Sequence, residues 1–106
     1  MITDDDAEKA NDFIRDNAAL YAKYKADRVY LEQFRKTKKA LLYSTQSHGS
    51  VADRESFAYS HPEYIKILDA IRTAVEAEET VRWQIEAASI KIDIWRTQQA
   101  NNRGGF

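Results

Sequence analysis

The sequence predicts an all-α fold: an antiparallel hairpin of two long helices with a short connecting helix, dimerising into a helical bundle. Three observations predict it. No Gly or Pro occurs before Gly49, so nothing interrupts a helix over the first 48 residues. Apolar residues then recur at alternating steps of four and three from Ile67 to Trp95. The whole chain of 106 residues holds only 3 Gly and 1 Pro, too little turn material for an all-β sandwich. At this length the chain is expected to be a single helical domain, residues 1–106.

The first helix is expected over residues 4–45. Thr3 can cap it, Asp6 stands at the capping-box position, and three successive aspartates suit the positive end of the helix dipole. A heptad reading puts Ala10, Asn17, Tyr24, Leu31 and Lys38 on one seam line. Phe13, Leu20, Asp27, Phe34 and Leu41 form the second, with Ile14, Tyr21 and Leu42 widening the stripe. Residues 44–50 are the connector, with Gly49 available for a positive φ. Ser50 and Asp53 make a second cap signature for a short helix over 51–59, whose Val51, Ala52, Phe57, Ala58 and Tyr59 can cover the end of the hairpin.

Pro62 at a first helical position opens the third helix, expected over 62–100. Its seam is Ile67, Ile71, Ala74, Glu78, Val81, Ile85, Ala88, Ile92 and Trp95, eight of nine apolar, broadened by Leu68, Val75, Ile90 and Ile94. Residues 101–106 read as a C-cap and a frayed tail. Each long helix would span about 60 Å, which predicts a rod rather than a globule. With residue 44 near residue 62, facing residue numbers sum to about 106. Arg28 then lies level with Glu78, Tyr24 with Arg82, Leu31 with Val75 and Asn17 with Ser89. A two-helix hairpin has a thin core, and Trp83, Trp95, Tyr21 and Phe13 remain to be covered. A homodimer, most simply a four-helix bundle, is the expected solution.

The chemistry-bearing residues are few. There is no Cys, which removes disulfides, thiolate nucleophiles and Cys-based zinc sites. The acidic N-terminus lacks the pattern of a secretory signal, and no apolar run is long enough for a membrane span, so a cytoplasmic location is expected. Asp27, Arg28, Glu78, Glu79 and Arg82 can form a charged layer. It reads as a polar layer that sets register rather than a carboxylate site, because no Glu-x-x-His pair accompanies it. His48 and His61 flank the short helix without metal-ligand spacing, and His61 is explained as a helix-start residue. No nucleophile elbow or Gly-rich phosphate loop occurs, so no enzyme activity, cofactor or small-molecule substrate is expected.

Net charge is −1, yet cations cluster locally. Lys23, Lys25, Arg35, Lys36, Lys38 and Lys39, with Tyr43 and with Tyr24 and Tyr30 nearby, are the candidate contacts to DNA or a protein partner. The opposing reading is a solvated basic half-helix that complements the dipole.

The run Tyr30-Leu31-Glu32-Gln33-Phe34-Arg35-Lys36-Thr37-Lys38-Lys39-Ala40-Leu41-Leu42 and the run Ala58-Tyr59-Ser60-His61-Pro62-Glu63-Tyr64 carry a resemblance, together with Glu78-Glu79-Thr80-Val81-Arg82-Trp83 and Ile94-Trp95-Arg96-Thr97-Gln98. They resemble small helical proteins encoded by tailed phages and prophages in regions of DNA replication and recombination genes. The likeness covers about residues 20–103 and carries no catalytic residues. It implies an accessory role in DNA metabolism inside a bacterial host. A phage inhibitor of a host enzyme and a virion assembly component are the alternatives.

Overall fold

The computed structural model describes residues 1–104, as three helices and no strand: α1 (Asp4–Thr45), α2 (Val51–Ser60) and α3 (Pro62–Gly104). The two long helices form an antiparallel hairpin joined through α2. α3 continues past residue 100 through Asn101, Asn102 and Arg103, where a C-cap and tail are expected from sequence. Arg103 in its last turn complements the negative end of the dipole. The part of that expectation falling on Gly105 and Phe106 lies outside the described residues.

Local chemistry sets the helix starts. The Thr3 hydroxyl accepts the Asp6 N–H at 3.0 Å, and the Asp6 carboxylate accepts the Thr3 N–H at 3.0 Å. Ser50 and Asp53 make the same reciprocal box at α2. Gly49 precedes it at φ +104°, and a Cβ there would meet the Asp53 Cβ at 3.3 Å. At α3, the His61 ring Nδ1 accepts the Glu63 N–H at 3.1 Å, while Pro62 has no N–H to place.

The residues gather into two compact units. One joins Met1–Lys23 to the part of α3 from Glu79 onward, with buried Ala7, Ala10, Val81 and Ala88 between its helices. There the Ile2 N–H donates to Gln98 at 3.1 Å, and the Trp95 indole N–H and the Gln99 amide donate to Asp4 at 2.8 and 3.3 Å. The other unit, Tyr24–Glu78, contains the turn end. Its core is Leu42, Ala58 and Tyr64, with Tyr43 and Phe57 packed against it. Val51 and Tyr59 stay exposed, so Phe57 and Ala58 alone among the expected covering residues do the covering.

The seam of α3 runs along the line expected of it. Ile67, Glu78, Val81 and Ala88 are buried, and Ile71, Ala74, Ile85, Ile92 and Trp95 are half-buried. On α1 the expected seam holds in part. The line of Ala10, Asn17, Tyr24, Leu31 and Lys38 turns inward, and so do Ile14, Tyr21 and Leu42, extended by Ala7, Arg28 and Arg35. Of the other expected line Phe13 and Phe34 are half-buried, while Leu20, Asp27 and Leu41 are exposed. Leu42 is 6% exposed against 54% for its neighbour Leu41, and Asp27 faces solvent. The expected register, in which facing numbers sum to about 106 with a shift of several residues allowed at the connector, holds at Arg28 and Glu78, and other pairs are offset by a few residues. Asp4 meets Trp95 and Gln99, where the expected alignment sets it level with Asn102. Lys38 meets Glu63 at 3.2 Å, and Asn17 donates to the Phe13 carbonyl of its own helix. Arg28 does reach Glu78.

Two predictions follow from these ends. Gly49→Ala places a Cβ where φ is positive and should destabilise the protein by about 1 kcal/mol in urea unfolding. Acid should weaken it too. The carboxyl of Asp6 is held below its ordinary value by the Thr3 N–H and hydroxyl, and that of Glu63 by the hydrogen bond from Lys38. Depressed values give stability that is present above the ordinary carboxylate range and lost as pH falls below about 4. A Tm profile from pH 7 to 2 should fall in that window, and Lys38→Met with Thr3→Ala should flatten it.

Candidate functional site

Two groups of charged side chains emerge, and they behave differently. The first is the polar layer. Glu78 is the one buried charged residue among those described, at 4% exposure. The Arg28 guanidinium donates to both of its carboxylate oxygens, through Nε and through Nη2, the latter at 3.0 Å. Its remaining edge, at Nη1, donates to both oxygens of Glu32 at 3.1 and 3.2 Å, one turn along α1. This forked geometry suits guanidinium and not ammonium. Asp27, expected in the layer, faces solvent, and Glu32 stands in the layer in its place. Arg82 pairs with Glu79 at 3.0 Å and lies over the Trp83 ring at 4.5 Å. Among the described residues no group of three or more His, Asp or Glu is placed to hold a metal ion. The layer is built to hold helices.

The second group is open. Arg35, Lys36 and Lys39 of α1, Tyr59 of α2 and Tyr64 of α3 line a cleft of about 320 Å³. Lys39 lies 4.4 Å over the Tyr59 ring, and the Tyr59 and Tyr64 rings make a T-shaped contact with centroids 5.5 Å apart. The hydrogen bond from Lys39 to Tyr59 raises the lysine above its ordinary value, with Glu55 adding a smaller electrostatic contribution, so Lys39 is charged throughout the neutral range. No carboxylate of the described residues comes within ion-pair distance of Arg35 or Lys36. These cations are not dipole complements. The last turn of α1 contains no basic residue, and the dipole acts only over that turn.

The cationic segment of the sequence thus divides. Arg35, Lys36 and Lys39 face a common cleft. Lys38 is an internal tie, with its ammonium on Glu63 and 6.0 Å from the Phe34 ring. Tyr43 carries the Arg54 guanidinium on its ring at 4.1 Å and accepts from it at its carbonyl at 3.3 Å. Lys25 is exposed, as is Lys23. Tyr30 stacks on Phe34, and Tyr24 is half-buried. Sequence reasoning missed Tyr59 and Tyr64 as partners of the cations. The available signal was the pair of tyrosines bracketing Pro62, where the chain turns back toward the end of α1. His48 is exposed and His61 serves as the cap described above.

No protein-family model, curated protein or solved structure matches this chain. None of the described helices is long and apolar enough to cross a membrane.

The layer makes a direct prediction. Arg28→Met leaves the buried Glu78 carboxylate without its cation and should lower Tm by roughly 10 °C or more. Lys25→Met, on the exposed side of the same helix, should change it by about 2 °C or less. Differential scanning calorimetry of the two variants reads the contrast.

Proposed function

We propose that the protein is a non-enzymatic accessory protein of phage type that works as a homodimer, by binding, in DNA recombination or replication in the bacterial cytoplasm. The observation that carries this reading is the apolar area that one chain leaves open. In the Tyr24–Glu78 unit, Ile65, Leu68 and Val75 of α3 stand exposed along one strip of the helix. In the other unit Trp83, Ile90 and Ile94 do the same, and Trp83 is 58% exposed. Neither strip lies on the seam that faces α1. No large side chain among those described is fully buried, so one hairpin supplies little core of its own. Exposed apolar strips of this kind mark association surfaces, and Trp is the residue type that most often dominates them. A second copy carries the same strips and can cover them symmetrically. The resemblance to phage proteins and the uncompensated cations of the cleft support a role on DNA.

Sedimentation at micromolar concentration is expected to give a dimer. Trp83→Ala combined with Ile90→Ala should weaken it by about tenfold or more while leaving the helical circular dichroism intact. A wild-type monomer contradicts the dimer. Affinity capture from infected cells should return recombination or replication proteins. Capture of a single host enzyme, or the chain's presence in purified particles, would instead support an inhibitor or a virion component.

A further inference from the structure

We infer that the cleft of Arg35, Lys36, Lys39, Tyr59 and Tyr64 is a binding site for the phosphate backbone of single-stranded DNA, with a base laid against Tyr59. The inference rests on the reading that the protein works on DNA, and it names the site.

The charge argument comes first. Arg35 and Lys39 are one turn apart on α1, with Lys36 on their flank, so three cations project from little more than one turn. Arg35 and Lys36 have no carboxylate within ion-pair distance among the described residues, and Lys39 rests on a neutral ring. A phosphate entering the cleft displaces no internal ion pair of Arg35 or Lys36. Arg35 can meet phosphate oxygens with a guanidinium edge, while Lys36 and Lys39 act as mobile point charges.

The aromatic argument is independent. Tyr59 is 46% exposed, yet its ring is held by the Lys39 ammonium over one face and by a T-shaped contact with the buried Tyr64. A ring restrained in this way, with part of its surface open beside cations, is a stacking platform with little rotamer entropy left to lose. Duplex DNA offers its phosphates on a stiff convex surface and keeps its base faces covered. A single strand bends into a concave cleft and offers both phosphate and base.

The test uses the full chain and a fluorescein-labelled dT20 oligonucleotide, read by anisotropy from 20 to 200 mM salt. Wild-type binding should weaken as salt rises. Arg35→Ala with Lys36→Ala should lose about tenfold or more in affinity at low salt and flatten the salt slope by about 1.4, at about 0.7 per lost phosphate contact. Tyr59→Ala should lose about fivefold or more without changing that slope, and Tyr59→Phe should retain wild-type affinity. Lys91→Ala, in the other unit, should bind within about twofold of wild type, and circular dichroism should show every variant helical. Wild-type affinity in the Arg35→Ala, Lys36→Ala protein overturns the site and leaves the DNA reading standing. Tighter binding of a 20-base-pair duplex than of dT20 overturns the single-strand assignment. A wild-type chain that binds no dT20 also overturns the site, and the capture experiment then decides the accessory role separately.

Discussion

A carboxylate as buried as that of Glu78 must be met by a cation, and much of the hairpin's alignment is tied to how Arg28 meets it. The seam within the other unit is forgiving. Small side chains such as Ala7, Ala10 and Ala88 let helices approach closely, but one alanine fits opposite another almost as well as the next. A charged pair is not forgiving, because a slip of one turn strands a charge without water. Glu32 completes the arrangement by accepting from the remaining edge of the same guanidinium, one turn along α1. The pair therefore ties α1 to α3 within the Tyr24–Glu78 unit.

The same helix carries cations with opposite assignments. Arg28 and Lys38 face carboxylates of α3 and hold the hairpin together. Arg35, Lys36 and Lys39 lie between and beside them with no such partner; they share a cleft with Tyr59 and Tyr64, and Lys39 lies over the Tyr59 ring. That difference originates at the connector. Gly49 and the Ser50–Asp53 box fix where α2 starts, and α2 delivers Tyr59 to the Lys39 ammonium. The cleft is thus a product of the turn as much as of the long helix.

The fold class was readable because α3 repeats its seam eight times out of nine and because caps and breakers stand at three helix starts. The seam of α1 was harder to read for a physical reason. Phe13, Leu20, Phe34 and Leu41 are as apolar as any seam needs, yet only the two phenylalanines are half-buried, and the adjacent inward line contains Arg28 and Arg35. Hydrophobicity alone does not make that distinction, and the inward place of Arg28 depends on Glu78, which lies 50 positions away in the chain. Half of the cleft was legible for the same kind of reason. Its cations are contiguous in sequence, but its rings come from α2 and α3, and only the return of the chain at Pro62 brings them to the cations.

The two tryptophans give the molecule a built-in optical readout. The Trp95 indole is half-buried and hydrogen-bonded to Asp4, so its emission follows the closure of the helix ends. The Trp83 ring is mostly in solvent beside Arg82, so its emission follows whatever covers the outer strip of α3. One chromophore therefore reports on intramolecular fraying and the other on surface occupancy. Single Trp→Phe replacements separate the two signals without attaching a dye.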